Sequence, residues 1–185
     1  MIRPVVWVLC ALAGTQPAFA ADLEPFFGTF VGRAEVYDPD TERRAERDMD
    51  VVIKRYQRNG IQADWISVTL VDGRRDVAGV ERRTNTAIFQ PVRRKGFYEA
   101  VEGYDPFRER DDRSAMEGAA TRWARFDQGV SYVYSFAITE DGGYELQVYE
   151  RELTDLGMDL RYRSIVDGAI RREIVGTMVR VEDDG

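Results

Sequence analysis

Residues 130–138 read Val130-Ser131-Tyr132-Val133-Tyr134-Ser135-Phe136-Ala137-Ile138. Large side chains fall on every second position, with smaller ones between them. That is the period of a β-strand, whose side chains leave alternate faces; a helix would scatter the same residues around its axis. The run is bracketed by Gln128-Gly129 before it and Asp141-Gly142-Gly143 after it. Glycine at such points supplies the positive φ that tight hairpins require, so the strand is predicted to fold back on both neighbours.

The same punctuation recurs on either side, at Asn59-Gly60, Asp72-Gly73, Lys95-Gly96, Leu156-Gly157 and Asp167-Gly168. Between these points lie further alternating segments. One sets Ile66, Val68 and Leu70 against Ala63, Trp65, Ser67 and Thr69, and the last sets Ile170, Ile174, Gly176 and Met178 against Arg171, Glu173, Val175, Thr177 and Val179. Nine or ten strands are predicted, near 27–37, 47–57, 61–71, 80–90, 96–102, 119–127, 130–139, 144–153, 158–166 and 170–181. Hairpin-linked strands run antiparallel, and a long meander avoids exposed edges by closing on itself or by splitting into two packed sheets. The expected fold is all-β, an antiparallel meander barrel of about 8–10 strands. Two stretches break the rhythm: 39–46, a charged connection with room for one helical turn, and 102–118, too long for a hairpin and of the length common in lids and binding loops. A transmembrane barrel, whose strands would show an outward apolar band, is disfavoured because charges such as Arg82, Glu99, Arg122 and Arg161 sit in mid-strand.

The amino terminus belongs to another class of sequence. Arg3 gives a basic end, Val5 to Leu12 an apolar stretch, and Ala18-Phe19-Ala20 a small-x-small cleavage signal. This is the pattern of a secretory signal peptide, too short for the roughly 20 residues that cross a bilayer. Residues 1–20 are therefore expected to be removed, leaving a single domain over 21–185 in the periplasm or outside the cell, with no membrane span after cleavage. Cys10 as a lipidation site is set aside, because the residues before it, Trp7-Val8-Leu9, are large.

The 26 basic against 33 acidic residues give a net charge of −7, and loss of Arg3 makes the mature value 25 − 33 = −8. No dense basic tract offsets this, so no nucleic-acid partner is expected. The chain has no histidine, and its single cysteine leaves with the leader. Histidine triads, zinc sites and histidine-ligated haem are thereby excluded, and no disulfide can form. The acidic residues Asp105, Glu109, Asp111 and Asp112 do not follow an EF-hand spacing and are interleaved with Arg108, Arg110 and Arg113, so no metal or other cofactor is expected. Glu150 and Glu152 share a strand face about 7 Å apart, a separation compatible with glycoside chemistry but common to any strand with that spacing. The chain is read as a non-enzyme.

At the start of the first strand stands Gly28-Thr29-Phe30. It resembles the Gly-x-Trp entry of the lipocalin or calycin superfamily, with phenylalanine in place of tryptophan. The resemblance implies a barrel with a cavity for a small, largely apolar ligand, and a basic side chain from the last strand laid across the aromatic ring; Arg172 and Arg180 are the two candidates. Aromatic residues are plentiful in the predicted strands, and Trp65, Trp123, Tyr132, Tyr134 and Phe136 are expected to line the interior, with Arg122 and Arg172 facing an anionic headgroup. The resulting expectation is an exported barrel binding a small apolar or amphipathic ligand. The alternative is an envelope protein-interaction module with a filled core; the sequence leaves oligomeric state open.

Overall fold

The computed structural model describes residues 22–101 and 119–181, so the expectations for the leader and for 102–118 lie outside the described residues. Ten strands follow one another: β1 Gly28–Asp38, β2 Arg43–Tyr56, β3 Gly60–Thr69, β4 Glu81–Pro91, β5 Phe97–Ala100, β6 Thr121–Asp127, β7 Val130–Ile138, β8 Tyr144–Leu153, β9 Gly157–Val166 and β10 Ala169–Val181. Each pairs antiparallel with the next, and β10 pairs with β1 from Thr29 opposite Val181 to Tyr37 opposite Glu173, closing the barrel. Joining the ends removes the two terminal edges that an open meander would expose.

One local expectation is corrected. Residues 39–46 hold no helical turn; 39–42 form the turn, and β2 already begins at Arg43. The Asp38 carboxylate accepts the amides of Asp40 and Thr41, each at 3.1 Å, and fixes that turn. The charged run then continues as strand because β1 offers it a full ladder. Its inward positions are Ala45 and Arg47, while Arg44 pairs with Glu35 on the outside.

The interior is filled at one end. A single 3-10 turn, Glu24–Phe26, brings Phe26 beneath the barrel, where its ring meets Phe126 edge-on at 5.2 Å. Phe30, Phe89, Met158 and Met178 complete this floor, all essentially inaccessible to water. Each such side chain contributes about 1.5–3 kcal/mol through burial. Strands β1 and β10 approach closely at this level: a Cβ on Gly32 would stand 2.1 Å from the Thr177 carbonyl oxygen. No side chain larger than hydrogen fits there without separating the strands that close the barrel.

A basic side chain from the last strand does lie across the first-strand aromatic. The Arg180 guanidinium lies over the Phe30 ring, 4.6 Å from its centroid, and donates to the carbonyl oxygens of Phe27, at 2.6 Å, and Pro25. Of the two candidates it is therefore Arg180, and not Arg172, that covers the first-strand aromatic. Gly28, at φ 141, leaves the space that Arg180 occupies.

The wall is uneven. β5 spans four residues and pairs with β4 only at Phe89–Pro91, so residues 81–87 of β4 have β3 on one edge and no described strand on the other. From Glu81 to Thr86 both faces of β4 are exposed.

Candidate functional site

Register decides which side chains face inward. Buried Ala124, Phe126 and Ser131 fix the inner face of β6 and β7, and the pairing carries that face round the barrel. One inward row runs Arg122, Ser135, Gln147, Ser164, Arg172, each opposite the next across neighbouring strands. The row below runs Val133, Tyr149, Tyr162, Ile174. On the opposite wall, Arg47 lies beside Thr69, Thr69 beside Glu81, Ser67 beside Arg83, and Trp65 beside Asn85. Above the apolar floor the interior is thus aromatic, and above that it is polar and rich in arginine.

Of the residues expected to line the interior, Trp65, Arg122 and Arg172 do so. Trp123, Tyr132, Tyr134 and Phe136 do not: they stand on the outer face, where Trp123 stacks on Tyr134 at 5.2 Å and 15°, and Tyr134 on Tyr132 at 6.2 Å. Alternation identifies two faces without telling which one turns inward. Here the interior takes the smaller set, Ser131, Val133, Ser135 and Ala137, because a closed barrel has limited room and the opposite wall already supplies bulk. Outside, Phe136 stacks on Tyr144 at 5.9 Å, with Leu146, Val148 and Ile165 beside them, so an apolar band crosses β6 to β9.

Side chains outside the expected lining set complete the inner layer. Tyr149 and Tyr162 meet at 4.6 Å, and Tyr149 reaches Trp65 at 6.3 Å, forming an aromatic shelf across the barrel. Burial raises the pKa of both tyrosines; for Tyr149 the nearby Arg151 and Arg122 oppose it, and for Tyr162 Tyr149 and Glu145 reinforce it. Arg151 sits one position further along β8, only 5% exposed, with its guanidinium 5.7 Å from the Tyr149 ring. Its Nε has no hydrogen-bond partner, nor does that of Arg47. Burial lowers the pKa of both, and for Arg47 the neighbouring Arg172 and Arg83 add to the effect. The inward carboxylates are engaged elsewhere: Glu145 accepts from Ser164 at 2.7 Å and Gln147 at 3.0 Å, and Glu81 pairs with Arg83 at 3.4 Å. A signal for Arg151 existed in β8, where Glu145, Gln147, Tyr149 and Arg151 alternate with Tyr144, Leu146 and Val148, but by ordinary patterning that signal points the polar set outward.

No family model matches the chain, and no curated protein matches it in sequence. Geometry alone therefore carries the functional reading. Among the described residues no group of three potential metal ligands is found, and no helix is long and apolar enough to cross a membrane.

Proposed function

We propose that this chain is an exported, calycin-like barrel that holds a small amphipathic ligand in its open half, in the periplasm or outside the cell. The observation that carries the reading is the contrast between the two ends. Glu81, Arg83, Asn85 and Arg122 face inward by register yet are exposed to solvent, whereas Phe26 and its neighbours seal the opposite end. An interior open at one end and closed at the other, lined by aromatic rings and a few polar groups, is the usual form of a small-molecule site. The Arg180 latch over Phe30 supports the likeness to calycin barrels.

The reading is of a binder and not a catalyst, since the inward-register carboxylates Asp38, Glu81 and Glu145 already have partners. Native mass spectrometry of protein purified from the periplasm tests it: a co-purifying small mass, displaced on denaturation, is expected. Apo protein alone, with no uptake from a lipid and metabolite extract, would count against the proposal.

A second reading, an envelope protein-interaction module, is supported by the outer aromatic band on β6–β9. A photo-crosslinking residue at Tyr134 separates the two in intact cells. One adduct of discrete protein mass favours the module, and its absence alongside a bound small molecule favours the binder.

A further inference from the structure

We propose that the ligand is a compact anion of at least two negative charges on a flat apolar body, such as an aryl phosphate or an aromatic polycarboxylate, and not a long-chain lipid. This rests on the reading of the open half as a ligand site. Three observations converge on it.

The first is the charge. The mature chain is expected to be acidic overall, yet, leaving aside Arg180 at the floor and the Asp38–Arg43 pair that flanks the first turn, the inward register carries five arginines, Arg47, Arg83, Arg122, Arg151 and Arg172, against the two carboxylates Glu81 and Glu145. Arg83 on β4 and Arg172 on β10 each stand within electrostatic reach of Arg47 on β2, with Glu81 the one carboxylate that acts against them there. Like charges gathered in this way repel, and a multiply charged anion between them turns repulsion into attraction. The second is the missing acceptor. The Nε atoms of Arg47 and Arg151 are buried and make no hydrogen bond, and among the described residues neither side chain, nor that of Arg172, has an ion-pair partner. A guanidinium presents its donors in a planar fork that suits phosphate and carboxylate oxygens. Arg151 lies one row below, behind Tyr149, and adds to the field without needing contact.

The third is shape. The apolar end is already occupied by Phe26, Phe30, Phe126, Met158 and Met178, which among the described residues take the space an acyl chain would need there. What lies next to the arginines is the shelf of Trp65, Tyr149 and Tyr162, whose rings suit a flat body.

Trp65 is the reporter for the test. In protein purified after export and carrying Trp123→Phe, its emission is titrated with 1-naphthyl phosphate, 1-naphthol, 1,2,4-benzenetricarboxylate and decanoate. Naphthyl phosphate is expected to bind at least about tenfold more tightly than naphthol, with affinity falling as salt rises. Relative binding of the tricarboxylate tells phosphate from carboxylate recognition. Arg47→Met and Arg172→Gln should each weaken naphthyl phosphate by about tenfold while leaving naphthol unchanged, and Arg163→Gln on the outer wall should change neither. If Arg47→Met fails to fold, Arg172→Gln decides alone. Equal affinity for naphthol and naphthyl phosphate, or tight binding of decanoate only, overturns the polyanion and leaves an amphipathic binder standing. No binding by any of the four overturns both.

Discussion

Arg151 concentrates the tension between stability and use in this barrel. A buried guanidinium with no counter-ion among the described residues costs the fold several kcal/mol in desolvation, which the cation–π contact with Tyr149 offsets only in part. Replacing it with methionine, which keeps most of the stem packing, should therefore stabilise the unliganded protein by about 1–3 kcal/mol. The urea midpoint would rise with an unchanged slope; a lower midpoint would mean that Tyr149 compensates the charge in full. The two tyrosines of the shelf give a pH signature. Their folded-state pKa values lie above the unfolded value of about 10, so the stability they contribute is complete below pH 10 and is lost as pH rises beyond it. Tyr162→Phe should flatten the alkaline limb of the stability profile measured by thermal melts between pH 8 and 11, and an unchanged limb would assign the loss to other groups. Neither residue's role could be read from the sequence. Arginine is a surface residue by default, and only the register shows that Arg151 shares a face with Leu160 and Ser131 and not with water.

Among the elements, β1 and β10 matter most, because their pairing turns a meander into a barrel. Arg180 fastens that seam by donating to the carbonyl oxygens of Pro25 and Phe27, on the segment that leads into β1, and covering Phe30. Arg180→Ala should lower stability by about 1–2 kcal/mol, and Arg180→Lys should recover only part, since an ammonium cannot span both carbonyls while lying flat on the ring. Recovery in full by lysine would show that charge alone is required. On the far wall, a double-mutant cycle of Trp123→Ala and Tyr134→Ala should give a coupling of about 0.5–1.5 kcal/mol if the stacked pair acts as a unit, and strict additivity would show that it does not. The strands themselves were legible, because turn glycines and alternation are local signals. All ten predicted segments overlap the observed strands, and the largest displacement is at β2, where charge was mistaken for a break. Facing was not legible. The set Tyr132, Tyr134 and Phe136 is the more apolar one in β7, yet it lies outside, since which face turns inward depends on the bulk contributed by strands far away in sequence.

At the scale of the whole molecule, one end of the barrel is densely packed and at the other β4 is paired on one edge only among the described strands, a contrast on which the proposed site at the mouth depends. The floor is closed by packed rings and by the β1–β10 ladder, whereas β4 between residues 81 and 87 leans on β3 alone among the described strands. Native-state hydrogen exchange should map that difference onto a single strand. Amides of residues 81–86 that point away from β3 should exchange orders of magnitude faster than those of residues 88–90, where β5 is paired, and the latter should approach the protection of global unfolding. Uniform protection along β4 would mean that its free edge is covered and that the mouth is closed. Binding between Arg47, Arg83 and Arg172 would tie β2, β4 and β10 through one ligand, so saturation with such an anion should slow exchange at the β4 edge while leaving the floor unchanged. Slowing confined to the floor would instead place the ligand against Phe30 and Phe126 and send the search for the site to the opposite end of the barrel.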